Sequence, residues 1–459
     1  MNGQGRDSHT KYQHIQINPL NGDSVMKTLG FRMGKALISL LAVTVFQAWA
    51  GIAAASDQSL DVSDMHATAF NYFFQDGDMD FHFGNIVLGS AVNGGVEIGE
   101  AFYAASHIED GDAASWQREW SELAKRVQAR GEKSLAAGHT VSARDQLLRA
   151  AYSYRFSLIS MLPDNPAFID RGNKLRELFR KAGAFFDPPV EYFEVPFEGS
   201  VLPGYFWKAA PGPEPTKTLL MIGGGETFAE DLFFYIAPQA HARGYNFATV
   251  DLPGQGMLPL EGMVFRTDTH FAMKAVVDFL VAKPDVDHQK LAAYGISGGG
   301  LFVPQAAMHH SGIKAIAMNS AVVDAHALFA TMPAALETPE QRSAWSSFHD
   351  GVVRSICWRY GVPMDRPAKL IDANKGNTFD PARITVPALI IVGQGEYKSQ
   401  EVQRQQKIAI DNFPNPLKKM VVTPSDEGAS NHCVMENSSL IGQVLFDWLD
   451  EVFARQELK

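Results

Sequence analysis

Leu291-Ala292-Ala293-Tyr294-Gly295-Ile296-Ser297-Gly298-Gly299 runs from an apolar strand pattern into a serine set between glycines, and residues 301–308 beyond it carry a helical pattern. This order predicts a nucleophile elbow: a strand turns abruptly into a helix, and the serine at the turn is strained, with its hydroxyl at the carboxyl edge of a sheet. Glycines flank it because side chains there would collide with the neighbouring strand and helix. In a chain of 459 residues with 39 glycines the bare pattern carries little weight. Its context carries more, because the strand lies before it, the helix after it, and an acid and then a histidine follow downstream in the order this arrangement uses.

Working outward from Ser297, apolar strand patterns at 218–222, 246–250, 291–294, 313–318 and 388–392 alternate with helical patterns near 231–243, 271–282 and 399–412. Such alternation predicts an α/β fold, a mostly parallel, doubly wound sheet covered on both faces. A strand pair is expected at 192–197 and 201–207. Before it, residues 61–189 read as a helical domain. Trp116, Trp120, Leu123 and Val127 recur at helical spacing, and Glu119, Glu122 and Lys125 face the other way. Ser142 with Asp145 resembles a capping box for a second helix bearing Leu147, Leu148, Ala151, Tyr152 and Ile159, and a third is expected to start at Pro166. Asp187-Pro188-Pro189 marks a boundary, so that 190–459 forms the catalytic domain. Residues 324–380 are too many for a simple connection; helical in parts, notably 339–360, they are expected to act as a lid over the site.

Hydrolytic chemistry at a serine needs a base, an acid that orients the base, and donors for the developing oxyanion. His432 is the expected base, in the loop between the strand at 419–423 and the final helix near 441–453. His241, His270, His309, His310 and His349 sit in helical patterns and read as surface or core residues. The acid should follow the strand at 388–392, where Gly393-Gln394-Gly395-Glu396-Tyr397 offers one carboxylate, Glu396; Asp324, at another strand end, is the alternative acid. Asp251 precedes the nucleophile in the chain and reads as a loop-fixing residue. Gly223-Gly224-Gly225-Glu226-Thr227 follows the first parallel strand and is expected to give one oxyanion donor at Gly224 or Gly225, with Gly298 giving the other. This loop lacks the residues of a phosphate loop or a dinucleotide fingerprint, so no cofactor is expected. Histidines and carboxylates do not recur at ligand spacings, so no metal is expected either.

The formal net charge of −11 argues against a nucleic-acid partner, which needs a basic face. Lys27, Arg32 and Lys35 precede an apolar run from 36 to 55 that ends in alanines, the form of a secretory signal cleaved near 50–55, with Met26 or Met33 as the working start. A secreted or periplasmic location is therefore expected, with a membrane partner only if the run stays uncleaved as an anchor. Cys357 and Cys433 are the only cysteines, and spacing does not tell whether they pair.

The succession of Gly-Gly-Gly-Glu-Thr at 223–227, Asp-Leu-Pro-Gly-Gln-Gly at 251–256, the elbow at 295–299 and Asn431-His432-Cys433 resembles the alpha/beta-hydrolase superfamily. The helical region ahead of these motifs is similar to the branch that holds 2,6-dihydroxypseudooxynicotine hydrolase, the fungal polyketide-shortening pigment hydrolases and esterases of the fermentation-respiration switch type. The resemblance covers most of the chain after about residue 80. It implies Ser297 as nucleophile, His432 as base and Glu396 as acid, although relatives usually place aspartate at that position. It also implies a small-molecule carbonyl substrate, attacked at an ester or at a carbon–carbon bond next to a ketone. An inactive ligand-binding module and a secreted serine peptidase are the alternatives, and the sequence leaves a homodimer open. The peptidase reading lacks the blade-like strand repeats of a gating propeller.

Overall fold

The computed structural model describes residues 66–457. Lys27, Arg32, Lys35, the apolar run at 36–55 and the candidate starts Met26 and Met33 lie outside the described residues. Among the described residues no helix is long and apolar enough to cross a membrane.

Eight strands form one sheet: β1 (Val190–Phe197), β2 (Ser200–Trp207), β3 (Thr216–Ile222), β4 (Asn246–Val250), β5 (Val286–Ile296), β6 (Ala315–Asn319), β7 (Ala388–Gly393) and β8 (Lys418–Thr423). Their spatial order is β1-β2-β4-β3-β5-β6-β7-β8. β2 pairs antiparallel with β1 and β4, and every pairing from β4 through β8 is parallel. Parallel neighbours need crossovers, which the alternating helices supply.

Period-two side-chain alternation divides the buried strand residues between two cores. Leu219, Met221, Ala292, Tyr294, Ile296, Leu389 and Ile391 join one core, while Leu220, Ile222, Leu291, Ala293, Ile390 and Val392 join the other. The second core is closed by helices at His270–Val281, Gly299–His309 and Gln400–Asn412. The first is closed by helices at Ala229–Ala242 and Ser438–Glu457 and by the amino-terminal helices. That amino-terminal layer is not insulated from the sheet, because Phe179 stacks edge-on against Tyr205 of β2 and Tyr152 lies flat on Phe234. The described residues all fall within one compact unit.

The amino-terminal helices are α1 (Ile98–Ala105), α2 (Ala113–Ala136), α3 (Thr140–Phe156) and α4 (Ala167–Gly183). Trp116, Trp120, Leu123 and Val127 are all buried on α2, as their spacing predicts, and the Trp116 indole donates to the Phe156 carbonyl at 2.8 Å. The expected capping box at Ser142 does not form. Gly138, at φ 79°, turns the chain so tightly that α3 has begun at Thr140, which leaves Ser142 inside its first turn. The third helix begins after Pro166, as expected.

Between β6 and β7 the chain forms short helices and one long one, Ser347–Arg359. The helix expected across 339–360 is broken, because Ser346 caps a new start by accepting from the His349 N–H. Cys357 and Cys433 are both buried free thiols.

Candidate active site

Ser297 sits between the end of β5 and the helix Gly299–His309 with φ 53°, a left-handed conformation that costs a non-glycine residue energy and marks the strained turn of an elbow. The glycines around it are forced. A Cβ on Gly295 would lie 2.0 Å from the Gly299 carbonyl oxygen, and one on Gly299 would lie 2.3 Å from that of Ile222. Ser297 stays partly exposed, and its N–H donates to the Asn319 carbonyl at 2.9 Å.

The glycine loop after β3 lies directly against the serine: a Cβ on Gly224 would come within 2.6 Å of Ser297 Oγ. Of the two loop donors expected, Gly224 is not free, because its N–H donates to Thr227 Oγ1 at 2.9 Å. Gly225 and Gly298 keep N–H groups without a protein acceptor among the described residues. Gln255 fixes the loop from below, donating to the carbonyls of Gly223 at 2.7 Å and Gly224 at 3.2 Å.

His432 follows β8, and its Nδ1 lies 3.0 Å from Glu396 Oε1, with both side chains almost fully buried. The ring N–H is not aimed along that line, so the contact is a close ion pair rather than a formed hydrogen bond. Ser320, just past β6, donates to the same Glu396 oxygen at 2.8 Å. Asn319 ties both halves together: its carbonyl holds the Ser297 amide, and its side-chain amide donates to the Cys433 carbonyl at 2.9 Å. Ser297 and His432 share no direct hydrogen bond here; catalytic contacts commonly close only around a substrate.

Burial works against a charged His432, but the neighbouring Cys433 and Glu396 outweigh it and hold the imidazole well above the ordinary histidine value.

Asp324 stands elsewhere. Its carboxylate caps the short helix Ala325–Phe329 by accepting from Ala327 N–H at 3.0 Å, and Gln405 holds its backbone. Asp251 accepts from Ala229 N–H at 2.8 Å and from Arg176 of α4 at 2.7 Å, which ties the loop after β4 to the helical layer. Burial raises its carboxyl to about 7 against the pull of Arg176, with Glu230 adding to the rise. The histidines of the helical patterns have partners other than the serine. His241 stacks on Trp207, His270 stacks on His309, His310 meets the His270 carbonyl, and His349 pairs with Asp78. Among the described residues no three histidine, cysteine or carboxylate side chains are arranged to hold a metal ion.

Several residues around this site had no motif to announce them. Glu436 accepts from the Ser430 and Asn431 amides at 2.7 and 2.8 Å, shaping the histidine loop. Asn85, from the helical region, donates to the His432 carbonyl at 3.2 Å and accepts from Asn431 at 2.9 Å. Contacts spanning some 350 residues leave no periodic trace, so only the polar Asn431 beside the histidine hinted at them.

This arrangement has known counterparts. The model of the family described as "Esterase FrsA-like" matches residues 110–342, just over half the chain, a range that holds the glycine loop and Ser297 but not Glu396 or His432. The chain is 33% identical over 233 residues to 20-hydroxy-prefusarin hydrolase FUS2 of Gibberella moniliformis, covering 48% of this chain and 56% of that one. It is 34% identical over 248 residues to hydrolyase poxO of Penicillium oxalicum, covering 51% and 58%. The chain thus spans somewhat more than half the length of these curated relatives. Among solved structures, that of 2,6-dihydroxy-pseudo-oxynicotine hydrolase superposes with a TM-score of 0.65 at 22% identity, over 80% of this chain and 96% of the other. AbyA5 superposes with a TM-score of 0.56 at 17% identity, over 80% and 98%. Both have the same fold. With a strained serine at the elbow, a glycine loop against it and more than half the sequence matched, the chain belongs to the FrsA-like esterase family of alpha/beta hydrolases.

Proposed function

We propose that this protein is a serine hydrolase in which Ser297 is the nucleophile, His432 the general base and Glu396 the orienting acid, with Gly225 and Gly298 as oxyanion donors. The observation that carries the reading is the left-handed Ser297 after β5 lying against the glycine loop, with a buried histidine–carboxylate pair in the loops after β7 and β8 of the same sheet. His432 takes the Ser297 proton as Oγ attacks a carbonyl carbon, and the oxyanion accepts from the two N–H groups. Collapse expels the leaving group, which takes the proton from His432; water, deprotonated by the same ring, then releases the acyl group and restores the serine. An alcohol is the leaving group of an ester. A carbon–carbon bond next to a ketone breaks by the same steps when the departing carbanion is stabilised as an enolate.

The test is labelling with a fluorophosphonate probe, with the adduct located by peptide mass spectrometry and Ser297→Ala and His432→Ala as controls. An adduct on Ser297 that needs His432 supports the proposal; a folded protein that takes no label refutes it. Aryl esters beside 1,3-diketones then separate the two bond types. The export that the amino-terminal sequence suggests is a separate proposal, checked by fractionating cells that express the full chain.

A further inference from the structure

Beside the glycine loop stands a polar pair that the triad does not use. Glu226 directly follows Gly225, so its Cα lies within about 7 Å of the Gly224 that touches Ser297. Its Oε2 meets His82 Nε2 at 3.2 Å, while His82 Nδ1 meets the Asp78 carbonyl at 2.6 Å. A carbonyl only accepts, so Nδ1 carries a proton, and one further proton is shared between Nε2 and Glu226. Burial works against the Glu226 charge, but the hydrogen bond and charge of His82, helped by His66 and Arg155, hold its carboxyl below the usual range. Glu226 is therefore held as a carboxylate.

Glu226 is also the accessible member of its cluster. Its neighbours His82, Phe228 and Arg155 are buried to 3% exposure or less, yet 21% of the Glu226 side chain stays accessible. The helix Ser347–Arg359 packs beside it: a Cβ on Gly225 would lie 3.1 Å from Ile356 Cδ1, and Phe348 packs edge-on against His82. The Glu226 backbone is fixed as well, because Arg155 donates to its carbonyl at 2.9 Å. Among the described residues Oε2 is engaged, and Oε1 has no hydrogen-bond partner.

We propose that Glu226 is the specificity-determining residue of the site, accepting a hydrogen bond through Oε1 from a hydroxyl group carried by the substrate near its scissile carbonyl. This rests on the serine-hydrolase reading. An ionised carboxylate only accepts, so a substrate with an ether or a carboxylate at that place leaves Oε1 unpaired or repelled. Fully enclosed sites built to bond a hydroxyl reject analogues lacking it by about 10⁴ to 10⁵; because Glu226 is partly accessible, a smaller preference of about 10²-fold is expected here.

The experiment measures kcat/KM for the methyl esters of 2-, 3- and 4-hydroxybenzoic acid beside their methoxy counterparts, in wild type and Glu226→Gln. At least one hydroxy ester should exceed its methyl ether by about 10²-fold in the wild type, and Glu226→Gln should cut that ratio to below about fivefold, chiefly through KM. Ratios near one for all three isomers in the wild type, or a ratio unchanged by the substitution, overturn the assignment. Fluorophosphonate labelling of Ser297 runs alongside. A protein that labels but does not discriminate loses only the Glu226 assignment, whereas one that neither labels nor turns over any ester loses the serine-hydrolase reading and this inference with it. Should Glu226→Gln misfold, Glu226→Asp, which withdraws the carboxylate by one carbon, and His82→Gln read the same ratio.

Discussion

Replacing Glu396 with Gln removes one charge from a buried pair while keeping the shape of the side chain. At 3.0 Å, full charges attract by about 5.5 kcal/mol at an effective dielectric constant of 20, and desolvation of the pair offsets part of this. Losing the carboxylate also frees the imidazole to adopt the wrong tautomer, an effect that costs about 10⁴ in kcat where such a pair has been neutralised, or about 5.5 kcal/mol. A fall of about 10³ to 10⁴ in kcat/KM is therefore expected. A second signature separates this from mere damage. Because Glu396 helps hold the His432 pKa above its ordinary value, the wild type gains activity only as pH rises through that raised value and the ring becomes a neutral base. In Glu396→Gln the residual activity should show its acid limb at lower pH. The assay is kcat/KM on p-nitrophenyl butyrate across pH 5 to 10, with circular dichroism to show that the fold is kept, and Asp324→Asn as comparison. A loss under tenfold in Glu396→Gln, an unmoved acid limb, or an equal loss in Asp324→Asn would refute the reasoning.

Three further outcomes are expected. Thr227→Val removes the acceptor that holds the Gly224 N–H, and should lower kcat by about 10- to 10²-fold with little change in KM, read on the same ester. Gly299→Ala puts a Cβ 2.3 Å from a backbone oxygen that cannot retreat and should cost about 3 kcal/mol or more in urea unfolding, whereas Gly99→Ala in α1, with nothing within 4 Å, should be neutral or stabilise by about 0.5–1 kcal/mol. Burial opposes the charge on His349, but Asp78 raises its pKa, and Asp78 is itself held far below the usual carboxylate range by His66 and His349 against its own burial. The His349 contribution is thus complete below its ordinary value near 6.5 and is lost as pH rises through the raised one, while that of Asp78 fades only in strong acid. The Tm gap between wild type and Asp78→Asn should narrow as pH climbs from about 6 to 9; a constant gap contradicts the pairing.

Much of the catalytic domain was legible because its signals are local. Strand periodicity, helix length and the glycines at 223–225 and 295–299 each express a constraint acting within a few residues, and chain order alone put Ser297, Glu396 and His432 after β5, β7 and β8. The capping box at Ser142 and the unbroken helix at 339–360 misread local cues that the tight turn at Gly138 and the fresh cap at Ser346 overrode.

By itself, then, the sequence determined the sheet, the elbow and which residue types gather at its carboxyl edge, since backbone sterics and two-residue alternation are written into neighbouring positions. Only the tertiary structure decided that Glu396 rather than Asp324 meets His432, that Gly224 is spoken for by Thr227, and that Asn85 and His82 reach the site from far upstream. Those choices rest on distances between residues remote in the chain. A hydrogen bond of 3 Å depends on how two cores close around a sheet, and no run of neighbouring residues encodes that.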